Sequence, residues 1–179
     1  RYLIPHRNEQ KGNAEFPTLS KMRKFMLDKF PVSFWSNPNS KILEPACGKG
    51  HFLLELVVRF MNGLAEHFPD EKQRYKHIVE NMIYFCELMS FNIYICKLLL
   101  DPDNEYALNS YTGDSLKPIP WDCHIFQGCV MNPPYSTSQE VNARNSTPLH
   151  HLFVEKYAYA IPYSVFIIPQ RWFITGKGL

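Results

Sequence analysis

The run Asn132-Pro133-Pro134-Tyr135 brings together the groups needed to hold a planar amine. An asparagine side chain offers a carbonyl acceptor, and a peptide carbonyl beside a proline offers a second that no local N–H need occupy. Successive prolines fix φ and remove donors, so the loop that carries them is stiff. Tyr135 adds a flat aromatic face. Two fixed acceptors beside a π surface suit a group bearing an NH2, as when an extruded nucleobase is stacked and read along its edge. A rigid loop that only packs a tyrosine is the structural alternative.

A second constellation is Glu44-Pro45-Ala46-Cys47-Gly48-Lys49-Gly50, between the apolar Lys41-Ile42-Leu43 and the run Phe52-Leu53-Leu54-Glu55-Leu56-Val57-Val58. Strand, glycine-bearing turn and helix open a nucleotide-binding βαβ unit, and the glycines permit a tight turn and close approach of a ligand. The spacing matches neither the GxGxxG fingerprint nor a GxxxxGK[ST] phosphate loop, because His51-Phe52 follows the second glycine. A turn without a phosphate cradle suits a cofactor without phosphate. An ordinary strand-to-helix corner is the competing explanation.

The two motifs in this order resemble the S-adenosylmethionine-dependent amino-methyltransferases, and within them the adenine-N6 DNA methyltransferases of restriction–modification systems. Those enzymes carry a D/E-P-A-C-G-x-G turn after the first strand and an N-P-P-Y loop after the fourth. The resemblance runs from Phe16 to Leu179 and includes Phe16-Pro17-Thr18, Tyr84-Phe85-Cys86-Glu87, Gly113-Asp114-Ser115, Leu149 to Lys156 and Val165 to Trp172.

The resemblance implies S-adenosyl-L-methionine as cofactor and the N6 amine of a flipped adenine in DNA as methyl acceptor. It places Asn132, Pro133, Pro134 and Tyr135 at the reacting amine. Phe16 and Thr18 belong to a segment that closes over the methionine end. Glu44, Ala46, Cys47, Gly48 and Gly50 form the turn around that end, with Glu44 near the sulfonium and the methionine amine. Glu87 is expected to accept the ribose hydroxyls, Leu88 to pack on the adenine ring, and Asp114 with Ser115 to receive the adenine amine. Phe153 is expected to flank that ring. Lys49 replaces a common small residue, with its head expected in solvent. Arg171-Trp172 is a candidate DNA contact. No metal is implied, and His150 and His151, being adjacent, read as helix surface.

These residues need a scaffold that gathers strand ends. The pattern predicts strands over 42–46, 82–87, 106–112, 125–131 and 164–168. Helices are predicted over 19–30 (capped by Thr18), 52–68, 69–79, 91–100 and from Pro148 to about 160. Strands alternating with helices imply a Rossmann-like, mainly parallel α/β sheet with helices on both faces, whose ligands lie beyond the carboxyl ends of the strands. Residues 1–40 read as an N-terminal helical segment closing the cofactor site. Residues 41–179 read as the catalytic domain, expected to stop before the last strands and the target-recognition region of a longer protein. Ser136–Thr147 is expected to be a mobile loop.

The chain has 179 residues, of which 45% are hydrophobic, and 19 Lys and Arg against 17 Asp and Glu. That length supports one sizeable core. No run approaches the roughly 18 apolar residues of a membrane span, and the start lacks a signal-peptide pattern. Five scattered cysteines with no CxxC pair point to reduced thiols and a cytoplasmic location. A net charge of +2 is a small electrostatic footprint for a DNA binder. The resemblance implies a specificity or restriction subunit, or a fused domain, as a partner. Enzymes that methylate RNA bases or a protein glutamine amide share the N-P-P-Y loop, and a non-catalytic DNA-binding module is the alternative of a different class.

Overall fold

The computed structural model describes residues 18–134 and 149–170. The predictions for Phe16, Tyr135, the 136–147 loop, Pro148 and Arg171-Trp172 lie outside the described residues. The elements in chain order are α1 (Ser20–Leu27), α2 (Val32–Ser36), β1 (Ile42–Glu44), α3 (His51–Gly63), α4 (Glu71–Asn81), β2 (Ile83–Glu87), α5 (Ser90–Leu100) and β3 (Asn109–Thr112). A 3-10 turn (Cys123–Ile125), β4 (Gly128–Met131), α6 (His150–Ala158) and β5 (Tyr163–Phe166) follow.

All pairings among the five strands are parallel, in the order β3-β2-β1-β4-β5. Successive strand residues point to opposite faces, and the core divides accordingly. Ile42, Ile83, Phe85 and Val130 face a cluster with residues of the first five helices, including Leu27, Phe34, Leu56, Phe60, Ile78 and Cys96. Leu43, Tyr84, Cys86, Cys129 and Met131 face Phe126, Ile161 and, from α6, Phe153 and Tyr157. Strands buried on both faces explain their continuous apolar runs.

Register is set at the strand starts. The Lys41 carbonyl accepts from both Gln127 N and Gly128 N, and the Gln127 side chain accepts from Lys41 N at 2.8 Å. The missing side chain at Gly128 lets Phe30 and Phe34 lie against β4; a Cβ there would stand 2.8 Å from the Phe34 ring. That contact belongs to α2, which the sequence pattern did not predict. Five residues are too few to show a period, and the helix is held by Phe34 and Trp35 packing edge-on to each other and against Phe60.

Two predicted strands begin later than expected. Asp101 accepts from Glu105 N and Tyr106 N, which commits those residues to a turn before β3. Asp122 accepts from His124 N and starts the 3-10 turn where β4 was expected. Two side chains expected at the surface are buried: His150 is 4% exposed and Lys49 is 3% exposed.

Candidate active site

The turn after β1 is built almost entirely from backbone. Cys47 N donates to Cys86 O at 3.0 Å, which ties the turn to β2, and Gly50 N donates to Cys47 O at 2.9 Å. Gly48 and Gly50 both have positive φ, 52° and 79°, a region costly for residues with a Cβ. Close packing adds to the demand at Gly50, where a Cβ would stand 3.0 Å from the Cys96 sulfur. The Cys47 and Cys96 sulfurs are 3.7 Å apart, both thiols are buried, and both are free. Burial pushes the Cys47 thiol well above its usual range, and the Cys86 thiol up to about 12. Neither is suited to act as a thiolate nucleophile.

Glu87, at the end of β2, forms the far wall of that turn. Its Oε2 accepts from Gly48 N at 2.9 Å and its Oε1 from Met89 N at 3.0 Å. A carboxylate has about four acceptor positions, so two such bonds leave capacity for a diol. The carboxylate expected to read a ligand also shapes the loop beneath it. Leu88 beside it is 67% exposed.

The loop after β3 joins the same edge. Asp114 Oδ1 accepts from Leu116 N at 3.0 Å in a short side-chain-closed turn. Ser115 is 5% exposed, and its hydroxyl donates to Pro45 O at 2.6 Å, pinning this loop to the β1 turn. The Ser115 carbonyl in turn accepts from Tyr157 Oη at 2.6 Å and Lys156 Nζ at 2.7 Å, both on α6. Phe153, one turn earlier on α6, is 5% exposed and stacks near Tyr157 at 6.3 Å between centroids. Ser115 and Phe153 are therefore committed to packing more fully than their sequence context indicates, and Asp114 keeps one carboxylate oxygen outside its turn bond.

Glu44 closes β1 and is 2% exposed, and among the described residues its Oε2 lacks a hydrogen-bond partner. Its carboxyl is held well above the ordinary range, first by burial, then by Cys96 and Glu87, with Arg23 acting in the opposite direction. Pro133 follows β4, β1's other neighbour, so both loops leave adjacent strands at their carboxyl ends. Asn132 is half-buried, and its Nδ2 donates to Thr18 Oγ1 at 3.2 Å. Thr18 does not cap α1, whose N-terminus has no side-chain cap; its hydroxyl crosses to the Asn132 loop instead. Of the two ends of that amide, the oxygen is the acceptor. Among the described residues no cluster of His, Cys, Asp and Glu could hold a metal ion.

Five parallel strands with an acid-and-glycine turn after the first and an amide-bearing proline loop after the fourth define a class I methyltransferase fold. The chain belongs to the N-6 DNA methylase family, whose sequence profile matches residues 2–163. It is 39% identical over 83 residues to an adenine-specific methylase of Mycoplasma pneumoniae that is itself uncharacterised, a match covering 45% of this chain and 20% of that protein. A protein of Listeria monocytogenes, classed with the class I S-adenosylmethionine-dependent methyltransferases, has a TM-score of 0.59 at 14% identity. That superposition covers 95% of this chain and 50% of the other. A Vibrio vulnificus protein described as the modification subunit of a type I restriction enzyme has a TM-score of 0.50 at 19% identity, over 86% of this chain and 32% of its own. These structural likenesses establish the fold. The chain spans a fifth of the length of the curated relative and half or less of both solved proteins.

Proposed function

We propose that this chain is the catalytic core of a DNA methyltransferase that moves the methyl of S-adenosyl-L-methionine to the N6 amine of adenine. The observation carrying this reading is the convergence at one sheet edge of the Glu44–Gly50 turn, Glu87, Asp114 and the Asn132 loop. Family membership and the adenine-specific relative support the choice of base. The edge fits the cofactor: Gly48 and Gly50 take positive φ so that the turn presents backbone, Glu87 keeps acceptor capacity, and the buried Glu44 Oε2 lacks a hydrogen-bond partner among the described residues.

In this reading Ala46, Cys47, Gly48 and Gly50 line the cofactor with backbone, Glu87 takes the ribose hydroxyls, and Leu88, Asp114, Ser115 and Phe153 surround its adenine. When bound, the cofactor supplies an electrophilic methyl on a sulfonium. Glu44 answers the positive charge at that end, because a carboxylate ionises more readily beside a cation. Phe16 and Thr18, in a segment over residues 1–40, close the methionine side of the domain formed by 41–179.

At the acceptor end, unstacking the adenine costs a few kcal/mol, and stacking on Tyr135 returns about 1–3 kcal/mol. The exocyclic lone pair is delocalised into the ring. The Asn132 amide oxygen and the Pro133 carbonyl accept its two N–H groups and draw the nitrogen out of conjugation. Pro134 keeps the loop from following thermal motion. Alignment of this kind contributes about 7–11 kcal/mol in favourable cases. The proton leaves after attack, from an amine already acidified by its new bond, so the Asn132 amide need not act as a base.

No helix among the described residues is long and apolar enough to cross a membrane. Five free cysteines, four of them buried, support a reducing, cytoplasmic setting. A specificity or restriction subunit, or a further domain, would supply the base-sequence reading. Incubation with radiolabelled S-adenosylmethionine and duplex DNA, RNA or protein tests the assignment. Label on N6 of DNA adenine is the expected result, and label confined to RNA or to protein would refute it.

A further inference from the structure

Arg23, on α1, has no part in the roles given above, yet it is tied to both ends of the site. Its Nη1 donates to the Thr18 carbonyl, and the Thr18 hydroxyl receives Asn132 Nδ2. Its Nη2 lies 3.6 Å from Glu55 Oε1 on α3, with the Arg23 side chain 13% exposed. These contacts fix the guanidinium beside the start of α3, where His51 is held below its ordinary value by burial, then by Arg23 and Lys49. Among the described residues Arg23 Nε is buried without a hydrogen-bond partner, and the same holds for Glu44 Oε2. A guanidinium edge and a carboxylate within each other's electrostatic reach would ordinarily pair. Here each instead leaves an atom unmatched, at a cost of about 1–3 kcal/mol per buried group.

An unmatched N–H donor on a cation and an unmatched oxygen on an acid are the complement of one chemical group, the α-amino acid zwitterion. Its carboxylate satisfies the donor and its ammonium satisfies the acid. We infer that Arg23 binds the α-carboxylate of the cofactor's amino-acid end while Glu44 binds its ammonium. The inference rests on the methyltransferase reading and extends it to a residue that neither signature motif contains. It also explains why α1 is joined to the Asn132 loop. The backbone carbonyl that orients Arg23 and the hydroxyl that receives Asn132 belong to the same residue, Thr18, so filling the amino-acid subsite steadies the acceptor loop.

Isothermal titration of the full chain with S-adenosylmethionine and with its decarboxylated form, which keeps the ammonium and sulfonium, separates the possibilities. The wild type is expected to prefer the carboxylated ligand by about tenfold or more, the scale of one charge-assisted hydrogen bond. Arg23→Gln should erase that preference by weakening only the carboxylated ligand, and Arg23→Lys should retain part of it. Equal weakening of both ligands by Arg23→Gln, or a preference that survives it and disappears in Lys49→Gln, would overturn the assignment. The wild-type ratio alone does so if it is near one, even where a variant does not fold. Wild-type protein that binds neither ligand would instead defeat the underlying methyltransferase reading.

Discussion

The two halves of the site are held by different means. On the β1–β2 side, the turn is locked from several directions: Cys47 N to Cys86 O, Gly48 N and Met89 N to the Glu87 carboxylate, and the Ser115 hydroxyl to Pro45 O. On the β4 side, Asn132 reaches Thr18 across 114 positions of sequence, and Pro133 and Pro134 stiffen the loop. One half is fixed by hydrogen bonds that belong to the fold. The other is stiffened by covalent rings and by a contact with the segment preceding α1. A donor pocket can be complete before anything binds, whereas a pocket for a base drawn from a duplex must admit its guest before it closes.

This contrast can be broken most severely at Asn132. Asn132→Ala is expected to reduce methyl transfer by about a hundredfold or more, the scale seen when one preorganised polar partner is lost. Calorimetric affinity for S-adenosylmethionine should stay within a few-fold. Loss of binding in that variant would show the two halves to be one unit. Gly50→Ala strikes the other side: its Cβ meets the Cys96 sulfur at 3.0 Å with φ at 79°. Cofactor affinity should fall by tenfold or more in a protein that still folds, and wild-type affinity would show the turn to be wider than described.

Glu87→Ala strips acceptors from Gly48 N and Met89 N. Each exposed donor costs about 1–3 kcal/mol if it stays buried, so the urea midpoint should drop together with cofactor affinity. A drop in affinity with an unchanged midpoint would mean that Glu87 reads ligand without supporting the turn.

Glu44 gives a pH test. Its carboxyl, raised above the ordinary 4.5 by burial and facing Arg23, Cys96, Glu87, Cys47 and Cys129, is neutral in the cofactor-free fold at acidic pH. A raised folded pKa contributes stability that is complete below the unfolded value and lost as pH climbs through the folded one. The cofactor-free wild type should therefore lose Tm as pH rises above about 4.5, relative to Glu44→Gln, while cofactor affinity of the wild type rises over the same range. Parallel Tm curves would remove Glu44 from this account. The mildest change is Thr18→Val, which removes one partner of the Asn132 amide; turnover should fall a few-fold with cofactor affinity little altered, as steady-state kinetics would show.

The five strands, their parallel character and the loops at the carboxyl edge were legible because continuous apolar runs such as Cys129-Val130-Met131 end on residues with turn chemistry, whereas the strand order was not. The side-chain commitments were not. Nothing in the string says that the Ser115 hydroxyl faces Pro45, or that the Thr18 hydroxyl crosses to Asn132 rather than capping α1, since both bonds span many residues. Arg23 was invisible for the same reason: helix-face spacing gives no sign of a guanidinium turned inward. Lys49 and His150 were misread toward solvent because residue charge and polarity alone are poor guides to exposure. Glu44 was singled out by type and position, while its burial, at 2% exposure, was not legible in the string.

The carbonyl of Ser115 is a junction. Lys156 and Tyr157 grip it from α6, and the same residue's hydroxyl holds the turn at Pro45. Helix α6 follows the proline loop in the chain, yet its anchor lies on the loop after β3, in the wall of the proposed cofactor site. Under the proposed function, a swing of that helix to widen a passage for substrate would pull on the turn at Pro45, so entry of one reactant and retention of the other would be mechanically geared.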